Sequence, residues 1–191
     1  MRGYFGVGVE RISKAMNMGS IFHTAHAFGA GFVFAVAARY EQTEGRLADT
    51  SSAPRNIPFY AFPDLASLVL PSDCTLVGIE LTDESIELPS FRHPRQAAYV
   101  LGPERGSLSA GMTERCEFVV KIPTKFCVNV GIAAAIVMYD RQINLGRFPP
   151  RPIMPGGPIE DLPDHVHGNP KIRDPAKRFL AFPPDDVPDI D

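Results

Sequence analysis

Residues 97–139 read AAYVLGPERGSLSAGMTERCEFVVKIPTKFCVNVGIAAAIVMY, and this stretch decides the fold. A first apolar run ends at Gly102-Pro103-Glu104, a second ends at Ile122-Pro123, and a short helix near 110–115 separates them. An Ala/Gly-rich helix then runs from Asn129 to about Asn144. Two strand ends followed by polar, glycine-containing loops are where an open α/β sheet binds small ligands. We therefore expect a small-ligand site in these two loops.

In roughly the first hundred residues, apolar runs of strand length alternate with segments of helical periodicity. The predicted strands are 3–9, 31–38 and 74–81, and the predicted helices are 17–29 and 62–70. Asn17 suits the N-cap of the first helix and Gly29 its C-terminal end. Gly6-Val-Gly8 lacks the third glycine and the immediate helix of a dinucleotide-binding loop, which favours a glycine-tolerant strand. The alternation predicts an α/β fold with a mostly parallel sheet flanked by helices.

Composition divides the 191 residues into a body, 1–148, and a tail, 149–191. The tail holds eleven of the 19 prolines, with five Lys or Arg and eight Asp or Glu, which leaves 14 charges of each sign in the body. A proline-rich acidic segment of this kind is predicted to be extended or partly disordered. The neutral body lacks the basic surplus of many nucleic-acid binders, so a local basic patch would have to contact phosphate.

The densest basic spot of the body contains Arg92, His93 and Arg95, just before the first apolar run of the opening stretch. Such a cluster is typical of a solvated face, and it is also able to contact phosphate. Both interpretations stay open from the sequence.

Metal, membrane and secretory functions find no support in the sequence. The three cysteines follow no metal-site spacing, and His165 and His167 have no third ligand nearby, so no metal is expected. No apolar run reaches the roughly 18–20 residues that span a bilayer, so no membrane is expected. The chain opens on a glycine-rich, strand-like segment rather than a signal peptide, which predicts a cytoplasmic protein.

The two turns of the opening stretch expose backbone N–H and C=O groups beside apolar walls. That combination suits a planar base of the adenine type. A G-x-x-x-x-G-K-[ST] phosphate loop, a G-x-S-x-G elbow and an H-E-x-x-H helix are all missing from the sequence, which argues against triphosphate binding and against common hydrolase classes.

Three blocks of this chain resemble the three motifs of the SpoU/TrmH group of SPOUT (trefoil-knot) RNA methyltransferases. They are NMGSIFHTAHAFG at 17–29, LGPERGSL at 101–108, and the segment from Ile122-Pro123 to Asn129-Val130. The resemblance covers roughly residues 3–147. It implies a deep trefoil knot near the C-terminal end of the body, S-adenosylmethionine as cofactor, and a homodimer whose active site takes residues from both subunits.

The resemblance also implies roles for individual residues. Cofactor-lining positions, which act mostly through backbone atoms, are Leu81, Gly102, Ile122, Cys127 and Val130. Glu104 and Asn129 are implied to hold the knot loops, and Asn17 to order the catalytic helix. From spacing alone, His23 is either a solvated surface histidine or a functional side chain near the first helical turn beside Asn17, and the resemblance makes it the expected base or phosphate contact.

His23 stands where the family usually has arginine. Histidine is able to accept a proton near neutral pH, but it lacks the bidentate fork with which arginine binds phosphate. We therefore predict an S-adenosylmethionine-dependent RNA methyltransferase that acts on a ribose 2′-hydroxyl, with tRNA favoured over rRNA because no N-terminal RNA-binding extension is evident. One alternative is a catalytically degenerate member that binds RNA or S-adenosylmethionine without methyl transfer. Another is an unrelated α/β nucleotide-binding domain with coincidental motifs.

Overall fold

One parallel sheet with helices on both faces forms the body in a computed structural model, which describes residues 3–38, 57–103, 105–148 and 155. The strands are β1 (Phe5–Glu10), β2 (Phe32–Val36), β3 (Phe59–Phe62), β4 (Thr75–Ile79), β5 (Ile86–Glu87), β6 (Ala97–Leu101) and β7 (Phe118–Lys121). The helices are α1 (Ala15–Phe28), α2 (Ala110–Arg115) and α3 (Val130–Leu145), with a 3-10 turn at Leu88–Ser90. Residues 149–191 form a separate unit. Apart from Pro155 this unit lies outside the described residues, so its extended character stays a prediction.

The strand order is β3-β2-β1-β6-β4-β7-β5, and every neighbouring pair is parallel. The predicted parallel α/β sheet is thereby confirmed. β6 lies between β1 and β4, and all five of its residues are buried. A continuous apolar run without alternation is expected for a strand that is covered on both faces.

Two hydrophobic cores cover the two faces of the sheet. Ala97, Tyr99 and Leu101 of β6 belong to the core that includes α1 and α3. Ala98 and Val100 belong to the core that includes Met112 of α2. Because successive side chains of a strand point to opposite faces, one apolar run supplies both cores.

Gly6 and Gly8 allow the aromatic rings of β2 to lie against β1. A Cβ atom at Gly6 would lie 2.2 Å from the Phe32 ring, and one at Gly8 would lie 2.5 Å from the Phe34 ring. The Gly-Val-Gly sequence is therefore a packing feature of a buried strand, as the glycine-tolerant interpretation predicts.

The helix predicted at 62–70 is wrong. Strand β3 ends at Phe62, and the described residues that follow form turns without a helix. Ser67 donates its backbone N–H to Asp64 Oδ1 at 2.8 Å, while Arg115 donates to the carbonyl oxygens of Leu65 at 2.7 Å and Leu68 at 2.6 Å. These side chains take backbone groups that a helix would have paired internally.

Candidate active site

A cavity of about 400 Å³ opens at the carboxyl edge of the sheet, beside the ends of β4, β6 and β7. The first turns of α1 and α3 complete its wall. Seven of the nine residues predicted for the site line it, namely Asn17, Leu81, Gly102, Ile122, Cys127, Asn129 and Val130. The structure thus brings together residues that are up to 113 positions apart, because parallel strands end at one edge.

The loop Gly102–Ser109, which follows β6, folds back over its own first residue. A Cβ atom at Gly102 would lie 3.1 Å from the Leu108 nitrogen and 3.3 Å from the Ser107 carbonyl carbon. Such contacts are tighter than most that a Cβ atom makes, so the loop would have to shift by a few tenths of an ångström to accept a residue other than glycine. Gly102 therefore contributes only backbone atoms to the cavity wall.

Two carboxylates hold this loop, and the sequence analysis missed both of them. Glu80 follows β4, and its Oε2 accepts a hydrogen bond from the Leu108 backbone N–H at 2.7 Å. Glu10 ends β1, is buried, and accepts hydrogen bonds from Ser109, from the backbone N–H at 2.7 Å and from the hydroxyl group at 2.5 Å. The neighbouring Arg11 donates to the Ser107 carbonyl oxygen at 2.6 Å. The loop is therefore held from both sides by the strands that flank β6.

Asn129 begins α3 and connects it to α1. Its Oδ1 accepts hydrogen bonds from the backbone N–H groups of Gly131 at 2.9 Å and Ile132 at 3.4 Å, which makes Asn129 the N-cap. Its Nδ2 donates to Asn17 Oδ1 at 3.1 Å. Asn17 itself is buried inside α1, which begins two residues earlier with Lys14 at the cap position, so the predicted N-cap role of Asn17 is wrong.

Of the remaining two predicted residues, His23 lies in the described part of the chain and does not line this cavity. His23 is exposed and lies about two turns into α1, so the prediction that it lies near the first turn beside Asn17 is wrong. Glu104 lies outside the described residues, and its predicted role stays a prediction. Gly29 ends α1 in the left-handed conformation with φ of 73°, as predicted.

The predicted basic cluster is not a continuous surface, because His93 is buried. Its Nδ1 pairs with the Tyr99 hydroxyl group at 2.6 Å and its Nε2 with Asp140 Oδ2 at 2.9 Å. Burial lowers the pKa of His93 and raises the pKa of Tyr99 to about 12. His93 therefore serves the core beneath α3 and cannot contact phosphate at the surface.

Side chains of both charge signs line the cavity. Among the described residues that line it, Lys14 is the cationic and Glu80 the anionic side chain. Arg105 and Lys125 are exposed within the two loops that supply lining residues. In the same described segments, no group of three or more His, Cys, Asp or Glu side chains is arranged to hold a metal ion.

The family model of the SpoU rRNA Methylase family matches residues 5–139 of this chain. The chain belongs to this family. The alternative of an unrelated domain with coincidental motifs is therefore wrong.

Curated relatives of this SpoU-family chain are named as RNA methyltransferases. An uncharacterized tRNA/rRNA methyltransferase of Archaeoglobus fulgidus is 30% identical over 72% of this chain and 63% of its own length. A 23S rRNA (guanosine-2′-O-)-methyltransferase of Nitrosomonas europaea is 27% identical over 69% of this chain and 53% of its own length. The chain thus spans between about half and two thirds of these two relatives.

Solved structures share the fold of the SpoU-family body. An rRNA methyltransferase of Sinorhizobium meliloti with bound AdoMet aligns with a TM-score of 0.67 and 19% identity, over 76% of this chain and 58% of its own. The SpoU methyltransferase AviRb of Streptomyces viridochromogenes, in complex with the cofactor AdoMet, aligns with a TM-score of 0.65 and 19% identity, over 74% of this chain and 57% of its own. At this identity the likeness establishes the fold, which agrees with the predicted α/β class.

Proposed function

We propose that this SpoU-family chain transfers a methyl group from S-adenosylmethionine to a ribose 2′-hydroxyl of RNA, with tRNA favoured over rRNA. The observation that carries the proposal is the convergence of seven of the predicted site residues on one cavity at the carboxyl edge of the family's sheet. The relatives named above act, by their names, on tRNA and rRNA, and two related structures were solved with AdoMet. The proposal includes the trefoil knot and a cytoplasmic location.

The residues that line the cavity suit the chemistry of the proposed cofactor. Leu81, Gly102 and Ile122 follow three strand ends and line the cavity, where their backbone groups would pair with a planar base. Leu101, Val130 and other apolar residues supply walls against which a base is able to pack. When bound, S-adenosylmethionine supplies a methyl group on a cationic sulfur, which a ribose oxygen is able to attack. The protein's task is then to align the acceptor and to remove its hydroxyl proton.

RNA binding is supported by the side chains around the mouth of the cavity. Lys14, Arg105 and Lys125 are basic residues in or beside its wall. Phe126, in the loop between β7 and α3, is 76% exposed. Thr124 Oγ1 donates to the Phe126 carbonyl oxygen at 2.9 Å, which helps to fix the loop that presents this ring. Exposed aromatic rings beside basic groups are typical of surfaces that stack unpaired bases and contact phosphate.

The proposed homodimer is supported by an apolar face on α1 and α3, which pack side by side. Met16 is 75% exposed, Ile132 is 56% exposed and Tyr139 is 53% exposed. Large apolar side chains grouped on one face mark protein interfaces more often than solvated surfaces. A second copy of this chain would cover them.

The proposed dimer would bring His23 of one subunit to the cavity of the other subunit. His23 lies on the exposed face of α1, seven residues after Met16, and residues at that spacing share one side of a helix. In the proposed dimer, His23 of one subunit accepts the proton of a ribose bound at the cavity of the other. Neutral imidazole is suited to this step near neutral pH.

Substitutions on the apolar face test the dimer. Ile132→Asp and Tyr139→Glu should convert the protein to monomers in sedimentation experiments, abolish methyl transfer, and leave S-adenosylmethionine binding within about twofold. Tyr60→Glu, at an exposed position on β3, is the matched control and should change neither property. Variants that remain dimeric would contradict the placement of the interface on α1 and α3.

The second candidate is a degenerate family member that binds RNA or S-adenosylmethionine without methyl transfer. It is favoured by one observation, namely that His23 replaces the family's usual arginine and does not line the cavity of its own chain. Substitution separates the two candidates. An active parent that His23→Ala inactivates supports a catalytic histidine, whereas an inactive parent that His23→Arg activates supports degeneration.

The decisive experiment incubates the full chain with S-adenosylmethionine and, separately, with tRNA and rRNA from cells lacking it. Digestion to nucleosides and mass spectrometry should then reveal one 2′-O-methyl nucleoside that forms in tRNA. Formation in rRNA alone would reverse the substrate preference. A base-methylated nucleoside would contradict the proposed ribose acceptor.

A further inference from the structure

Glu80 has acceptor capacity that the described residues do not use. Its Oε1 accepts one hydrogen bond, from the Leu81 backbone N–H at 3.2 Å, and its Oε2 accepts one from Leu108 at 2.7 Å. Each oxygen of a carboxylate is able to accept about two hydrogen bonds. The half-buried side chain also lines the cavity, so the remaining acceptor sites and the negative charge are available to a ligand there.

The two forms of the proposed cofactor differ in charge and hardly at all in shape. S-adenosylmethionine carries a sulfonium, an ammonium and a carboxylate group, so its net charge is positive. S-adenosylhomocysteine, the product, has lost the sulfonium charge together with the methyl group and is neutral overall. An anionic wall therefore interacts more favourably with the donor than with the product, and this difference is larger inside a cavity than in bulk water.

We propose that Glu80 makes the cavity selective for the cationic methyl donor over its neutral thioether product. The inference rests on the proposed function, because it assumes S-adenosylmethionine as the ligand. Glu80 then has two roles: its backbone contacts hold the Gly102–Ser109 loop, and its charge retains the donor and favours departure of the product. Selectivity of this kind matters for turnover, since donor and product compete for one cavity.

Lys14 provides a matched comparison, because it is the cationic side chain among the described lining residues. Donor and product carry the same amino-acid carboxylate group. A contact between Lys14 and that group would strengthen the binding of both ligands equally. Lys14→Met should therefore change both affinities by a similar factor and leave their ratio unchanged.

The test is isothermal titration calorimetry of the full chain with S-adenosylmethionine and S-adenosylhomocysteine. The parent should bind the donor about tenfold more tightly than the product. In Glu80→Gln, donor affinity should fall about tenfold while product affinity falls less than threefold, so that the preference is lost. A purely structural role would weaken both ligands alike and would not move this ratio.

The outcomes separate this inference from the proposed function. Equal weakening of both ligands by Glu80→Gln would overturn the charge-selective role, and donor binding by the parent would leave the proposed function standing. If Glu80→Gln does not fold, the parent alone decides: equal affinity for donor and product overturns the inference, and a clear preference for the donor upholds it. A parent that binds neither ligand would overturn the proposed cofactor and this inference together.

Discussion

Gly102→Ala is the most direct test of how the backbone shapes the cavity. The added methyl group would lie 3.1 Å from the Leu108 nitrogen, 3.3 Å from the Ser107 carbonyl carbon and 3.4 Å from Glu80 Oε2. Two of these three neighbours are backbone atoms, which cannot rotate away as a flexible side chain does. The Gly102–Ser109 loop must therefore retreat by a few tenths of an ångström.

The size of the effect follows from the hydrogen bond that the retreat weakens. The Leu108 N–H donates to Glu80 Oε2 at 2.7 Å, and a hydrogen bond to a charged group contributes roughly 1.5–3 kcal/mol. Partial loss should lower the free energy of unfolding by about 1–2 kcal/mol. Because the same loop lines the cavity, we expect S-adenosylmethionine affinity to fall about tenfold to a hundredfold.

Calorimetry with S-adenosylmethionine and urea unfolding measure the two effects on one preparation. Gly31→Ala is the matched control, since its Cβ would meet Phe5 O at 3.6 Å, which is an ordinary contact, at the amino end of β2. The control should match the parent in both measurements. Gly102→Ala with donor affinity within twofold of the parent would refute the argument that close backbone approach shapes this cavity.

Three further predictions concern the core and the surface. Arg141 is only 5% exposed, and it donates hydrogen bonds to the carbonyl oxygens of three residues and to a tyrosine hydroxyl group. Arg141→Met should therefore lower the free energy of unfolding, measured by urea unfolding, by roughly 3–5 kcal/mol. The exposed Arg147→Met should change it by less than about 0.5 kcal/mol, and equal effects would contradict the prediction. Burial, the largest cause, lowers the pKa of His93, so the unfolded chain binds the proton more readily and the free energy of unfolding should fall as pH drops below about 6.5. His93→Gln should lose that part of the pH dependence. A variant whose pH profile matches that of the parent would contradict the prediction. The sequence has no tryptophan, so the fluorescence of a Phe126→Trp variant reports on this one position. Added RNA should quench that fluorescence. Fluorescence that changes with protein concentration alone would instead assign the ring to a protein interface.

The parts of the fold that the sequence predicted correctly depend on local patterns. β6 follows from an unbroken apolar run, and α2 spans 110–115 as predicted. Ser109 caps α2 by accepting a hydrogen bond from the Met112 N–H at 3.2 Å. The partner that caps α2 lies within the helix's own first turn, and an unbroken apolar run indicates a buried strand whichever strands it pairs with, so the pattern alone was sufficient.

The parts that failed depend on distant partners. The 62–70 segment forms turns instead of the predicted helix, and the carbonyl group of Leu68 accepts a hydrogen bond from Arg115, which lies 47 residues further along the chain. Glu10 is 99 residues from Ser109, and a glutamate at the end of an apolar run looks the same in sequence whether it is solvated or buried. His93 pairs with Asp140, which is 47 residues away. No local periodicity carries this information.

The strand order explains why Glu10 and Glu80 act on one loop. β6 lies between β1 and β4, so the loop that leaves β6 passes between the ends of its two neighbours. The residue at each of those ends projects a carboxylate towards backbone N–H groups that would otherwise need water or a ligand. The loop is therefore held in place before any cofactor arrives, which reduces the entropic cost of binding. One of the two carboxylates also faces the cavity, so the residue that preorganises the site is placed to sense the charge of its ligand.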